Sequence, residues 1–125
     1  REMMQVDNTK LYFSLPCGVG QLKISFDAAA TLARDVCLET PGVAGMVSSE
    51  RPEDGWYSTN GVMLTEEEQA GCCRVRLYIA VKYGEPVTDT AKAVQQRVKE
   101  SIESSLGLSA AAVDVFVGAI SIPKQ

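Results

Sequence analysis

The sequence predicts an α+β domain of the split βαβ type: a βαββαβ sandwich with two helices packed on one face of a mostly antiparallel four-stranded sheet. Two observations carry that reading. Over residues 72–82 the side chains alternate, with Cys73, Val75, Leu77, Ile79 and Val81 on one parity and Arg74, Arg76, Tyr78 and Lys82 on the other. Period-two alternation of this length describes a strand with one buried and one wet face. Over residues 87–106, Val87, Ala91, Val94, Val98, Ile102 and Leu106 recur at spacings of three and four, with Lys92, Gln96, Lys99, Glu100 and Glu103 off that stripe. This is an amphipathic helix. A sheet covered on one side only is antiparallel or mixed, because an all-parallel sheet needs apolar residues on both faces.

Taken in order, residues 1–19 form an N-terminal extension with an extra strand at 11–15, joined through a Pro16-Cys17-Gly18 turn to a strand at Leu22 and Ile24. The domain proper spans 20–125. Ser25 is a good N-cap for a first helix whose small-residue stripe, Phe26, Ala29, Ala30, Ala33, Val36 and Cys37, ends before Pro41-Gly42. A strand follows at 43–47. Residues 48–71 carry the turn signals of Arg51-Pro52-Glu53-Asp54-Gly55 and Asn60-Gly61 and the charge run Glu66-Glu67-Glu68, and predict a long loop or loose hairpin. Beyond the strand at 72–82, Gly84 permits a tight bend and Pro86 fixes the start of the second helix. Asp89 suits the positive end of that helix, Lys99 and Glu103 form an i,i+4 pair, and Gly107 supplies the left-handed stop. A last strand covers 113–120.

Composition bounds the function. At 125 residues, 46% hydrophobic and 22% charged, the chain fits one folded domain. A net charge of −4 argues against a general polyanion binder, since phosphate contacts need a surplus of Lys and Arg. The four cysteines, Cys17, Cys37, Cys72 and Cys73, come without a histidine, and adjacent Cys72 and Cys73 point to opposite faces of a strand. Reduced thiols are therefore expected, with Cys37 and Cys73 packed as small apolar groups, and no metal or cofactor site is expected. The longest apolar stretch, 109–123, is too short to span a bilayer and alternates like a strand. The opening residues show no charged-then-apolar signal pattern, so a cytosolic protein is expected.

No cluster resembles an active site. Cys37 lies near a helix C-terminus, where the dipole disfavours a thiolate, and Glu66 to Glu68 read as a solvated charge run. Gly42-Val43-Ala44-Gly45 has the spacing of a KH clamp but leads from a helix into a strand, and residues 74–81 lack the glycine and aromatic spacing of an RRM. The wet sheet face is the stronger candidate. Arg74, Arg76, Tyr78 and Phe116 share outward parity and mix cations with aromatics in the manner of a partner-docking surface.

Val81-Lys82-Tyr83-Gly84-Glu85-Pro86-Val87, the helix through Val94-Gln95-Gln96-Arg97-Val98, and Gly107-Leu108 followed by Val113-Asp114-Val115-Phe116-Val117 resemble the C-terminal half of the alkaline-shock (Gls-type) envelope stress response family of Gram-positive bacteria. Gly20-Gln21-Leu22-Lys23-Ile24-Ser25 and Glu39-Thr40-Pro41-Gly42-Val43-Ala44-Gly45-Met46 resemble its first half. The resemblance implies a non-enzymatic cytoplasmic protein at the inner face of the membrane. It would be held there through a membrane-anchored partner or by self-assembly as a homo-oligomer, with indirect membrane contact and no cofactor. It carries over no catalytic residue. A nucleic-acid-binding module and a small-ligand sensor are the rival classes.

Overall fold

A computed structural model of the chain describes residues 11–123. Its elements are β1 (Tyr12–Cys17), β2 (Gly20–Ser25), α1 (Phe26–Glu39), β3 (Val43–Met46), β4 (Tyr57–Thr59), β5 (Val62–Glu66), β6 (Cys72–Lys82), α2 (Val87–Ser101) and β7 (Ser109–Ser121). A π-helical turn, Ile102–Leu106, extends α2. The α+β class with two helices against a sheet holds.

The signals that start and stop the helices act where the sequence places them. The Ser25 hydroxyl accepts a 2.9 Å hydrogen bond from the Ala28 amide, closing an orphan donor at the start of α1. Gly107 ends the second helical segment at φ 73°, in the left-handed region that costs other residues a Cβ clash. Glu103 ties that end to the sheet: its carboxylate accepts from Lys99 Nζ at 2.7 Å and from the Ala110 amide at 3.2 Å.

Three of the four strands the sequence predicts for the sheet are in it, as β3, β6 and β7, and one is replaced. β6 is its axis, fully spanned on one side by β7 in parallel and on the other by two collinear antiparallel strands, β5 against Cys73 to Leu77 and β3 against Ile79 to Val81. β4 extends it beyond β5, giving five strands. The strand at Leu22 and Ile24, expected in this sheet, pairs only with β1 in a separate two-stranded ribbon. Its place is taken by β5, inside the segment expected to be a long loop or loose hairpin over 48–71. A hairpin forms there, of β4 and β5, and it is part of the sheet rather than loose because Val62, Met63 and Leu64 are all buried. A strand covered on both faces shows no period-two alternation, so its signal is lost among neighbouring turn residues. Asn60 and Gly61 both take positive φ, 49° and 84°, as the two-residue turn joining β4 to β5 requires. The expected extra strand is present, with its turn at Gly18-Val19, and it reaches the core: Phe13 is fully buried, its ring 4.5 Å from that of Phe26. Of the N-terminal extension, residues 1–10 lie outside the described residues.

The core fills the space between the sheet and both helices. Phe26, Ala29, Ala30, Ala33 and Cys37 of α1 meet Val94, Val98 and Ile102 over the inward parity of β6, Cys73, Val75, Leu77, Ile79 and Val81. Each large side chain in that layer contributes about 1.5–3 kcal/mol through removal from water. Alanines on α1 allow it to sit close to its neighbours.

Candidate functional site

The junction between β3 and β5 organises the sheet's outer face. Tyr78 falls in the gap between the two collinear strands, where its N–H donates to the Gly61 carbonyl and its carbonyl accepts from the Val47 amide, each at 2.9 Å. From this point the chain after β3 crosses the outer face as a strap, residues 47–56. The Val47 side chain sits against Gly118 of β7, where a Cβ would come within 3.0 Å of it. Glu53 pairs with Arg76 at 3.6 Å, and Trp56 places its ring centroid 4.1 Å from the Arg76 guanidinium. Arg74 bonds Glu67 at 2.9 Å.

The four residues expected to dock a partner therefore have unequal roles. Tyr78 and Phe116 are brought together, their rings stacked 4.8 Å apart at 10°. Tyr78 is only 5% exposed and cannot itself offer a surface, whereas Phe116 is 42% exposed. The Tyr78 hydroxyl is buried beside the Glu50 carboxylate; burial first, then that carboxylate, pushes its pKa above the ordinary phenol value. Arg76 is held within the strap by Glu53 and Trp56, and Arg74 stands apart with Glu67. Each cation has an acid beside it, which lowers the net positive charge that a phosphate backbone would meet.

Sequence reasoning missed the remainder of the exposed apolar surface. β7 pairs only with β6, leaving its other edge without a strand among the described residues. Along that edge Val117 is 37% and Ile120 45% exposed, although their cross-strand partners Ile79 and Val81 are fully buried. Inward-parity side chains on this edge strand thus go uncovered, while Phe116 is exposed on the opposite face. Tyr83, whose amide donates to the Ser121 carbonyl, and Ile122 prolong the apolar patch. Asp114 is the only charged residue between Ser109 and Ser121. The available signal was apolar occupancy of both parities, Val113, Val115, Phe116, Val117 and Ile120, in a strand at the sheet margin.

The thiols offer no nucleophile in the core. Burial pushes Cys37 up to about 11 and Cys73 up to about 12, and all four cysteines are free. Among the described residues no group of three or more metal-ligating side chains converges, and no helix is long and apolar enough to cross a membrane.

Residues 16–122 match a family model, that of the alkaline shock protein 23 family, described as having a cell envelope-related function. The chain belongs to the alkaline shock protein 23 family. It is similar to the uncharacterized protein Spy1614 of Streptococcus pyogenes, 31% identical over 110 residues, covering 82% of this chain and 89% of that protein. It is also similar to the uncharacterized protein YloU of Bacillus subtilis (strain 168), 26% identical over 110 residues, covering 82% and 90%. Among solved structures, a zinc form of a substituted MamM CTD aligns at a TM-score of 0.50 and 15% identity, covering 79% of this chain and 87% of that one. That likeness is one of fold alone. The alkaline shock protein 23 match spans both β6 and β7, so the exposed edge belongs to the family domain.

Proposed function

We propose that the chain is a non-enzymatic interaction protein of the cell envelope, docking a protein partner along the open edge of β7. The partner is either membrane-anchored or a further copy of the chain, and it places this protein at the inner membrane face without direct lipid contact. One observation carries the reading: an edge strand of 13 residues presents Phe116, Val117 and Ile120 with no Lys, Arg or Pro among its residues, its register to β6 broken only by bulges at Ala111 and Gly118. Edge strands are ordinarily blunted by Lys, Pro, bulges away from solvent or a covering helix, because their free N–H and C=O groups template another strand. Here the second half of β7 is uncharged and apolar on both faces, which suits β-strand addition with side-chain anchoring above and below.

Cell fractionation tests this directly. The wild-type chain is expected to sediment with the membrane fraction, and the double variant Val117→Lys, Ile120→Lys to shift to the soluble fraction with unchanged thermal stability. An Arg74→Ala control is expected to stay with the membrane. Retention of the double variant would move the contact elsewhere on the surface.

A further inference from the structure

A second feature lies on the opposite side of β6 from the docking edge and is independent of the docking proposal. A cavity of about 560 Å³ opens between α1, the end of β3 with the start of the strap, and the turn joining β4 to β5. That volume is in the range of small-molecule sites. Arg34 and Leu38, one helical turn apart on α1, form one wall; Met46, Ser48 and Ser49 form the other, with Asn60 at the turn. The lining contains one charged side chain, Arg34, and no acid, in a chain whose net charge is −4.

The state of Arg34 is the informative part. Its Nε is buried and has no hydrogen-bond partner, and its Nη2 makes only a 3.5 Å contact to Asp35, the next residue in sequence, whose side chain is 57% exposed. An Arg–Asp contact at that distance, with the arginine side chain 33% and the aspartate 57% exposed, contributes little. The guanidinium thus keeps most of its planar fork unspent, at a place where a buried donor without a partner is unfavourable. Elsewhere Arg74 bonds Glu67 at 2.9 Å, and Arg76 has the Trp56 ring 4.1 Å from its guanidinium in addition to Glu53. Beside Arg34 the supporting polar groups are hydroxyls and an amide, which can donate to an anion. Leu38, 43% exposed, and Met46 supply an apolar wall next to it.

The geometry points to a binding site for a small organic anion, a carboxylate or phosphate monoester carried on an apolar body, with the Arg34 fork on the anionic head and Leu38 and Met46 against the body. Arginine is suited to this role because its parallel N–H groups match the two oxygens of such a head. Ser48 and Asn60 would complete its hydrogen bonds, while the Ser49 hydroxyl is already bonded to that of Ser58 at 3.0 Å.

The test is titration of the full chain with 1-naphthyl phosphate, 1-naphthoate, 1-naphthol and inorganic phosphate, followed by isothermal calorimetry and by backbone amide NMR shifts. At least one of the two naphthyl anions is expected to bind tenfold or more tightly than either naphthol or inorganic phosphate. Comparison of the two anions then assigns the head group. The shifts should centre on residues 34–38, 46–49 and 60–61. Arg34→Gln should weaken binding by tenfold or more, Arg34→Lys by less, and Leu38→Glu, placed on an exposed wall position, by a comparable factor without disturbing the fold. Naphthol binding as well as the anions, shifts clustered elsewhere, or unchanged affinity in both Arg34→Gln and Leu38→Glu would each overturn the assignment.

Discussion

Gly61 shows how one residue sets the architecture of the outer face. It ends a two-residue turn at φ +84°, and a Cβ there would lie 2.8 Å from the Val47 carbonyl oxygen and 3.0 Å from the Met46 Cβ. The obstruction is partly backbone and cannot swing away. Gly61→Ala is therefore expected to destabilise the fold by about 2–3 kcal/mol, combining left-handed strain with a steric conflict. Gly18→Ala, at φ +54° with nothing within 4 Å of the added carbon, should cost about 1 kcal/mol. Urea denaturation of the two variants checks the contrast, and equal losses would refute the role given to the junction. The buried thiols make a second prediction at this scale. Burial raises Cys37 to about 11 and Cys73 to about 12 from an ordinary 9.0. Below pH 9 the thiols are protonated in both states and their contribution is whole. As pH climbs from 9 towards 12 the unfolded thiols ionise first, so stability falls, by at most about 1.4 kcal/mol per pH unit for each thiol. Dithionitrobenzoate at pH 8 should accordingly modify exposed Cys17 at once and spare Cys37 and Cys73 until denaturant is added. Their apolar packing was legible in the sequence, since both lie on helix and strand stripes that point inward.

At the scale of elements, legibility followed locality. β6 and the ends of both helices could be placed from sequence because alternation, the Ser25 cap and the Gly107 stop act within a few residues. Pairing could not, because β2 and β5 offer equally short apolar runs, and only the packed structure decides that β5 joins β6 while β2 folds back on β1. The sheet's outer face was half legible for a related reason. Parity placed Arg74, Arg76, Tyr78 and Phe116 on one face, but the strap that buries Tyr78 and engages Arg76 comes from a polar, turn-rich segment with no sign of where it lies. What joins α2 to β7 is Glu103. Its hydrogen bond from Lys99, then that from the Ala110 amide, holds its carboxyl below the ordinary range. A depressed carboxyl contributes stability above its unfolded pKa and loses it as pH falls through the folded one. Glu103→Ala should lower Tm near neutrality and speed amide exchange at Ala110, and its difference from wild type should narrow as acid protonates the wild-type carboxyl. A difference that stays constant down to acid pH would show that the carboxylate charge is not what matters.

The whole molecule is asymmetric in what it leaves open. Two helices cover one face of the sheet, the strap crosses the other, and β4 closes one margin, while Tyr83, Phe116, Val117, Ile120 and Ile122 stay exposed at the β7 margin and Tyr12, Val19 and Leu22 on the β1–β2 ribbon. The proposed docking edge is the β7 margin of a domain whose family has a cell envelope-related function. Site-specific photo-crosslinking in living cells tests this most directly, with a photoreactive amino acid placed at Ile120 and, as the reference, at Gln96 on the exposed side of α2. The account predicts a discrete crosslinked protein from position 120, identified by mass spectrometry as a membrane protein or a second copy, and none from position 96. Equal crosslinking from both positions, or none from position 120 while position 96 captures a partner, would contradict it.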